Sequence, residues 1–392
     1  MTMNLRIANG KLIIGSEIVQ KDILVRGGKI EAIVDRNAET SDDYVTVDCA
    51  GNYVSAGFVD IHQHGGGGSD YMDDGADTFY KATESHLMHG TTSVMPTLLS
   101  ASKEMTLRAI DNYKVAKCDK RIRANMLGLH LEGRYISPAQ AGAQKPENIK
   151  EFDRSEYAEI IERGEGNIKR WSVAPELRGA KDFASYAQKR GITLSIAHSD
   201  ADFDTVLKAY EWGFRHVTHL YSCTSSIVRK EGFRVAGVLE AAYFLDGMNV
   251  EIIADGCHLP VSLLRYVAKF KDVSRISLIT DAMRAAGEQT NISFLGSADD
   301  PLPVIVEDGV AKLTDRSAFA GSVATADRLL RTMRGAGVPL VDAVRMITLN
   351  PIESMGLEVK KGKLCEGYDA DICVFDEDIN IKHVVCGGAF VK

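Results

Sequence analysis

Two histidines one residue apart, His62-Gln-His64, follow the apolar run Tyr53-Val-Ser-Ala-Gly-Phe-Val-Asp-Ile and precede four glycines, Gly65 to Gly68. Side chains at i and i+2 of a strand share a face, so the two imidazoles would converge on one point. Imidazole is the commonest metal ligand at neutral pH, and glycines directly after a strand let the backbone turn sharply and crowd a ligand. Taken alone, the stretch fits a strand end with two surface histidines and a flexible loop equally well. Further along stand His130 and Glu132 in Gly128-Leu-His-Leu-Glu-Gly-Arg, His198 in Ile196-Ala-His-Ser-Asp, and His219 in Val217-Thr-His-Leu-Tyr. Asp255 and His258 follow in Ile253-Ala-Asp-Gly-Cys-His, then Asp281 in Leu278-Ile-Thr-Asp-Ala-Met. Imidazoles and carboxylates without a thiolate suit Zn²⁺ or Fe²⁺ in hydrolytic chemistry. Such an ion lowers the pKa of its bound water to about 7, and Asp281 could take that proton and pass it to a leaving group. The chemistry these residues point to is metal-assisted hydrolysis.

Each of these groups closes a short apolar run, and the runs alternate with longer amphipathic stretches such as 182–190, 203–212, 260–270 and 324–336. Strand and helix alternating over residues 56–354 predict a parallel sheet, and a (β/α)₈ TIM-like barrel fits the size. In such a barrel the active site sits at the C-terminal strand ends. Most of the ten histidines fall at that one rim, which scattered surface or core histidines would not do. The first fifty or so residues read instead as short strands with turns at Asn9-Gly10 and Gly27-Gly28. A similar texture returns near the end, in Ala370-Asp-Ile-Cys-Val-Phe-Asp and Lys382-His-Val-Val-Cys-Gly-Gly-Ala-Phe-Val. The expectation is a small β-sandwich domain from 1–55 plus 355–392, with the hydrolase barrel, 56–354, inserted between its halves.

The ordered set of motifs resembles the amidohydrolase superfamily and, within it, the N-acetylglucosamine-6-phosphate deacetylase family. The resemblance rests on His62-Gln-His64, His130-Leu-Glu132-Gly, Gly142-Ala-Gln144, His198, Thr218-His-Leu-Tyr221, Ala254-Asp-Gly-Cys-His258, Thr280-Asp281-Ala and Ala320-Gly-Ser322, spread over nearly the whole chain. It implies that Glu132, in the place a carboxylated lysine takes in many related enzymes, binds metal with His198 and His219. His62 and His64 would hold a second ion, giving one or two per subunit, Zn²⁺ before Fe²⁺. Asp281 would be the acid/base. Gln144, Ser222, Cys223 and His258 would contact the sugar, and Arg229, with Lys230, Arg234 and Arg134 as alternatives, its phosphate. The glycines after His64 would let their loop lie against the sugar. Asp60 and His130 fit supporting roles, Asp255 either a structural or a functional one, and His86, His89, His216 and His383 packing or the surface. Family members pair as homodimers in which the arginine can reach a neighbour's site. The implied reaction is hydrolysis of the acetamide of an N-acetyl amino sugar 6-phosphate.

This chain departs from the family pattern at Arg134, where many members carry proline, at Ser222-Cys223-Thr224, where others carry an Asn-Ala segment, and at Gln144, where some carry histidine. The Ser222-Cys223-Thr224 departure keeps open an unphosphorylated-sugar deacylase or a cyclic-amide hydrolase; a barrel that only binds is the remaining alternative, against which the intact His62, His64, Glu132, His198, His219 and Asp281 argue. Composition narrows the partners. A net charge of −8 over 392 residues gives no general attraction to nucleic acid or an anionic membrane, so an anionic substrate needs a local basic patch. No run reaches the roughly 18 apolar residues of a membrane span, and Met1-Thr-Met-Asn-Leu-Arg lacks the apolar core of a signal peptide. Seven scattered cysteines without a CxxC pair suggest neither disulfides nor a thiolate zinc site. A cytoplasmic enzyme acting on a small molecule is the expectation.

Overall fold

The computed structural model describes residues 3–41 and 43–392; Met1 and Thr2 of the opening stretch lie outside it. Eight parallel strands form the barrel: β1 (Phe58–Gln63), β2 (Thr91–Leu98), β3 (Leu129–Glu132), β4 (Ile168–Val173), β5 (Thr193–Ile196), β6 (Phe214–Val217), β7 (Asn249–Ile253) and β8 (Ile276–Ile279). Neighbours in sequence are neighbours in the sheet. The ring closes where the Asp281 amide donates to the His62 carbonyl at 2.9 Å and Gln63 bridges Ala282 in parallel. The apolar run that ends at Glu132 is interrupted: Asn125–Met126 pairs beside β2, and Gly128 turns the chain at φ +130° before β3.

Helices expected from sequence periodicity are present at Ala180–Gln188, Phe203–Glu211, Val261–Phe270 and Ala326–Gly335, each within two residues of its expected ends. Their starts have local causes. The Asp202 carboxylate accepts from the Thr205 amide, and Asp153 and Ser102 cap the helices Arg154–Gly164 and Lys103–Ala116 in the same way. Apolar side chains of these helices and the outward faces of the strands make one large core, with Trp171, Phe183 and Tyr135 packed together behind β3 and β4. That packing fixes the strand that carries Glu132.

The chain's two ends do meet in one sheet. Ile372–Phe375 pairs antiparallel with Tyr53–Ala56, which runs parallel to Lys11–Ile14, and Ile381–Cys386 adds outside. A second sheet, Lys29–Asp35, Lys21–Arg26, Leu5–Ala8 and Val45–Asp48, faces it across a core of Leu5, Ile7, Ile23, Val54, Ile372 and Val385. Gly27-Gly28 closes a hairpin as expected, whereas Asn9-Gly10 does not. It carries the chain from one sheet to the other. Asn9 sits at φ +57°, and a Cβ at position 10 would strike the Val54 side chain.

One element was not foreseen. After β8 an antiparallel four-stranded excursion, Ile292–Leu295, Leu302–Glu307, Val310–Leu313 and Phe319–Ser322, leaves the barrel and returns to it. Its last strand lies along the end of β8, with the Ser322 amide donating to the Asp281 carbonyl at 2.8 Å. Ala320-Gly321-Ser322 is therefore the backbone clamp on Asp281.

Candidate active site

The strand ends bring His62, His64, Glu132, His198, His219 and Asp281 to one buried point. Glu132 is its centre. Its Oε1 lies 2.8 Å from His219 Nε2, 3.3 Å from His198 Nε2 and 3.5 Å from His62 Nε2, and its Oε2 lies 3.2 Å from His64 Nε2. Asp281 Oδ1 stands 3.1 Å from His64 Nε2 and 3.4 Å from His62 Nε2. The two Nε2 atoms of His62 and His64 are 3.3 Å apart. Ligands around a tetrahedral ion with bonds of about 2.0–2.2 Å lie roughly 3.3–3.6 Å from one another, which matches most of these separations. Two donor groups result, His62, His64 and Glu132, and Glu132, His198 and His219. Glu132 belongs to both, so the residues fit one ion or two.

Charge in the cluster follows from its crowding. Burial pushes the Glu132 carboxyl up, but His62, His198 and His219 outweigh it and hold the group well below the usual carboxylate range. Burial likewise opposes the ionised form of Asp281, and His62 and His64 overcome it. For His64, burial is outweighed by Asp281 and Glu132, which raise the imidazole to about 10. Both carboxylates are thereby held toward the ionised form that a divalent cation needs.

The backbone here is unusual. His198, His219, Tyr221, Cys223 and Asp281 have φ of +46°, +31°, +77°, +49° and +48°, the left-handed region that few residues other than glycine adopt. Strained residues of this kind gather at functional sites, and here they follow the ends of β5, β6 and β8.

Above the cluster opens a cleft of about 300 Å³, lined by Gln144, Ser222, Cys223, His258 and Phe319 as well as the cluster residues other than His62. Gln144 Nε2 donates to Glu132 Oε2 at 3.2 Å, while its Oε1 accepts from the Ser100 amide at 3.1 Å. Asp255 is an orienting residue: its Oδ2 lies 2.8 Å from His258 Nδ1, and its Oδ1 accepts from the Cys257 and His258 amides. Phe319, from the unforeseen excursion, packs on the His258 ring with centroids 4.7 Å apart. Phe319 directly precedes the motif Ala320-Gly321-Ser322 but is not itself part of it.

Other sequence candidates land elsewhere. Arg229 and Lys230 sit on the exposed hairpin Val228–Lys230 and Phe233–Val235, and neither lines the cleft. Arg134 is buried beside Glu156, with Nε 3.3 Å from its carboxylate, and does not join them in a basic patch. The glycines after His64 do not lie against the cleft either. Gly65 and Gly66 pair with Ser69 and Asp70 and pack under the helix Asp77–Leu87. His86 Nε2 bonds the Gly65 carbonyl at 2.9 Å, and a Cβ on either glycine would collide with Ser69 or His86. His86 is thus a packing residue, as is His216, bonded to the Ser354 carbonyl. Asp60 ties β1 to β8, accepting from Thr280 Oγ1 at 2.5 Å and from Gln63 Nε2 at 3.1 Å.

A family model described as the amidohydrolase family matches residues 53–391. The chain belongs to that family. This amidohydrolase is 31% identical over 375 residues to an N-acetylglucosamine-6-phosphate deacetylase of Lysinibacillus sphaericus, covering 94% of this chain and 92% of the relative. It is 30% identical over 349 residues to the Bacillus subtilis enzyme of the same name, covering 88% and 86%. Among solved structures, a mutant N-acetyl-D-glucosamine-6-phosphate deacetylase from Mycobacterium smegmatis, in complex with N-acetyl-D-glucosamine-6-phosphate, superposes with a TM-score of 0.90 at 27% identity over 99% of both chains. Within the family, the chain groups with these deacetylases. No helix among the described residues is long and apolar enough to cross a membrane.

Proposed function

We propose that this amidohydrolase removes the acetyl group of N-acetylglucosamine-6-phosphate or a close epimer, releasing acetate and the amino sugar phosphate. The observation that carries the reading is the convergence of Glu132, His198, His219 and Asp281 on the floor of the cleft, in a chain whose relatives bear the deacetylase name over nearly its whole length. Glu132, His198 and His219 would hold the first ion, and His62 and His64 with Glu132 a second. A bound divalent ion, Zn²⁺ before Fe²⁺, polarises a carbonyl and makes water acidic enough to attack at neutral pH. Asp281 takes the proton from the attacking water and delivers it to the nitrogen of the leaving amine, so the C–N bond breaks without expelling an amide anion. His258, held by Asp255, and Gln144, held by Ser100, fix the sugar and its acetamide.

The phosphate contact is assigned to Arg229. Because that hairpin stands outside its own cleft and exposes Ile227, Val228 and Phe233 beside the arginine, the working unit is taken as a homodimer in which Arg229 reaches the partner's site. Arg229→Ala is expected to raise KM for the phosphorylated substrate with kcat little changed; an unchanged KM moves the contact to Lys230 or Arg234. The division of the chain into a sandwich, 1–55 plus 355–392, and a barrel, 56–354, belongs to the same proposal; residues 1, 2 and 42 of it lie outside the described ones. Free cysteines, three of them buried, fit a reducing cytoplasm.

The position of Arg229 also favours a second reading, a deacylase of unphosphorylated sugars. Acetate release from a panel of N-acetylhexosamines, each with and without the 6-phosphate, separates the two. Turnover confined to phosphorylated members supports the proposal, and turnover confined to the free sugars overturns it.

A further inference from the structure

The interior of a barrel of this kind is ordinarily filled with branched apolar side chains. Beneath the candidate metal ligands this one is polar. Arg170 on β4 and Glu251 on β7, both fully buried, form an ion pair across the barrel through Arg170 Nη1 and Glu251 Oε1. The guanidinium also donates from Nη2 to Ser195 Oγ at 3.0 Å and to Thr218 Oγ1 at 2.8 Å. The second carboxylate oxygen of Glu251 is turned toward β1 and lies 3.4 Å from His62 Nδ1. A buried ion pair is weak evidence for stability, because apolar side chains of similar volume serve as well or better. What this pair does beyond filling space is touch His62.

We propose that Glu251, its charge balanced by Arg170, is a positioning residue for the His62–His64 half of the metal centre. The inference rests on the metal-centre reading above. With Nδ1–H donating to Glu251, the lone pair of His62 is confined to Nε2, the atom that faces His64, Glu132 and Asp281. The ring nitrogen a histidine offers a metal is set by the hydrogen bond its other nitrogen makes. Among the described residues, Nδ1 of the other ligand imidazoles meets no such carboxylate. His198 Nδ1 bonds the Gln140 carbonyl at 2.8 Å, and Nδ1 of His64 and of His219 has no partner among the described residues. In the His62–His64 half, the orienting bond comes from Glu251. Arg170 holds that carboxylate in place through the Nη1–Oε1 ion pair, which leaves Oε2 turned to His62.

Zinc binding tests this without recourse to turnover. The wild type, His62→Ala, Glu251→Gln and the double variant Arg170→Met with Glu251→Gln are loaded with Zn²⁺ and dialysed against graded chelator. Retained zinc is measured by elemental analysis, with thermal melting as a control for folding. Both Glu251 variants should keep one tightly held ion and bind the second about 10–100-fold more weakly, matching His62→Ala in direction. If Glu251→Gln fails to fold because Arg170 is left unpaired, the double variant, which buries no lone charge, carries the test. Variants that hold both ions as tightly as the wild type overturn the proposal. So does a folded variant that loses both ions together, or a wild type with one ion that His62→Ala leaves unaffected. A wild type that takes up no zinc at all overturns the metal-centre reading instead, a result distinguishable from the others.

Discussion

Glu132→Gln is expected to strip the protein of tightly bound zinc and, with it, of measurable turnover. Glu132 faces all four ligand imidazoles and is the one residue common to both donor groups. Glutamine keeps the length but supplies one neutral oxygen in place of two charged ones. Loss of an outer hydrogen-bond partner of a metal ligand already costs about 10–100-fold in affinity, so loss of the shared carboxylate should exceed that. The burial of the four histidines would remain, without the charge that compensates it. Elemental analysis after dialysis reads the result directly. Glu132→Gln retaining wild-type zinc would place the metal elsewhere.

Asp281→Asn should do the opposite: keep the metal and lose the chemistry. Asparagine tolerates the left-handed backbone at φ +48°, which an alanine there would resist, and it preserves the clamp between the Asp281 carbonyl and the Ser322 amide. What it cannot do is accept the proton of the attacking water. A positioned general base contributes about 10²–10⁴-fold, and kcat should fall by that amount with KM and zinc content near wild type. A variant turning over at near the wild-type rate would remove Asp281 from the acid/base role.

Much of this was legible in the sequence, and the reason is geometric. A parallel barrel puts every strand's C-terminal end at one rim, so a histidine or carboxylate closing an apolar run can be placed before its neighbours are known. His62, His64, Glu132, His198, His219 and Asp281 were all found in that way, and they meet. Asp255 and His258 followed from the same rule. Phe319 did not, because it arrives on an antiparallel excursion whose strands follow no barrel period. Glu251 did leave a trace, a charged residue inside the apolar run Val250-Glu-Ile-Ile, whereas Arg170 stands next to Lys169 in Ile168-Lys-Arg-Trp-Ser-Val and does not stand out. Sequence cannot say that two such residues on β4 and β7 face each other across the barrel axis. The glycines after His64 misled for a related reason. Four in a row signal close backbone approach, but not to what, and here the neighbour is the His86 ring. Arg229 illustrates the same limit, since a motif position does not say whether the hairpin that carries it lines the chain's own cleft.

A metal centre built on Glu132 that hydrolyses an N-acetyl amino sugar phosphate should lose its activity with its metal. Acetate release from N-acetylglucosamine-6-phosphate is to be measured with protein stripped by chelator and with the same protein reloaded with Zn²⁺. The stripped protein should release no acetate, and reloading should restore turnover. Equal acetate release by stripped and reloaded protein, or none from either, would contradict metal-dependent hydrolysis of this substrate.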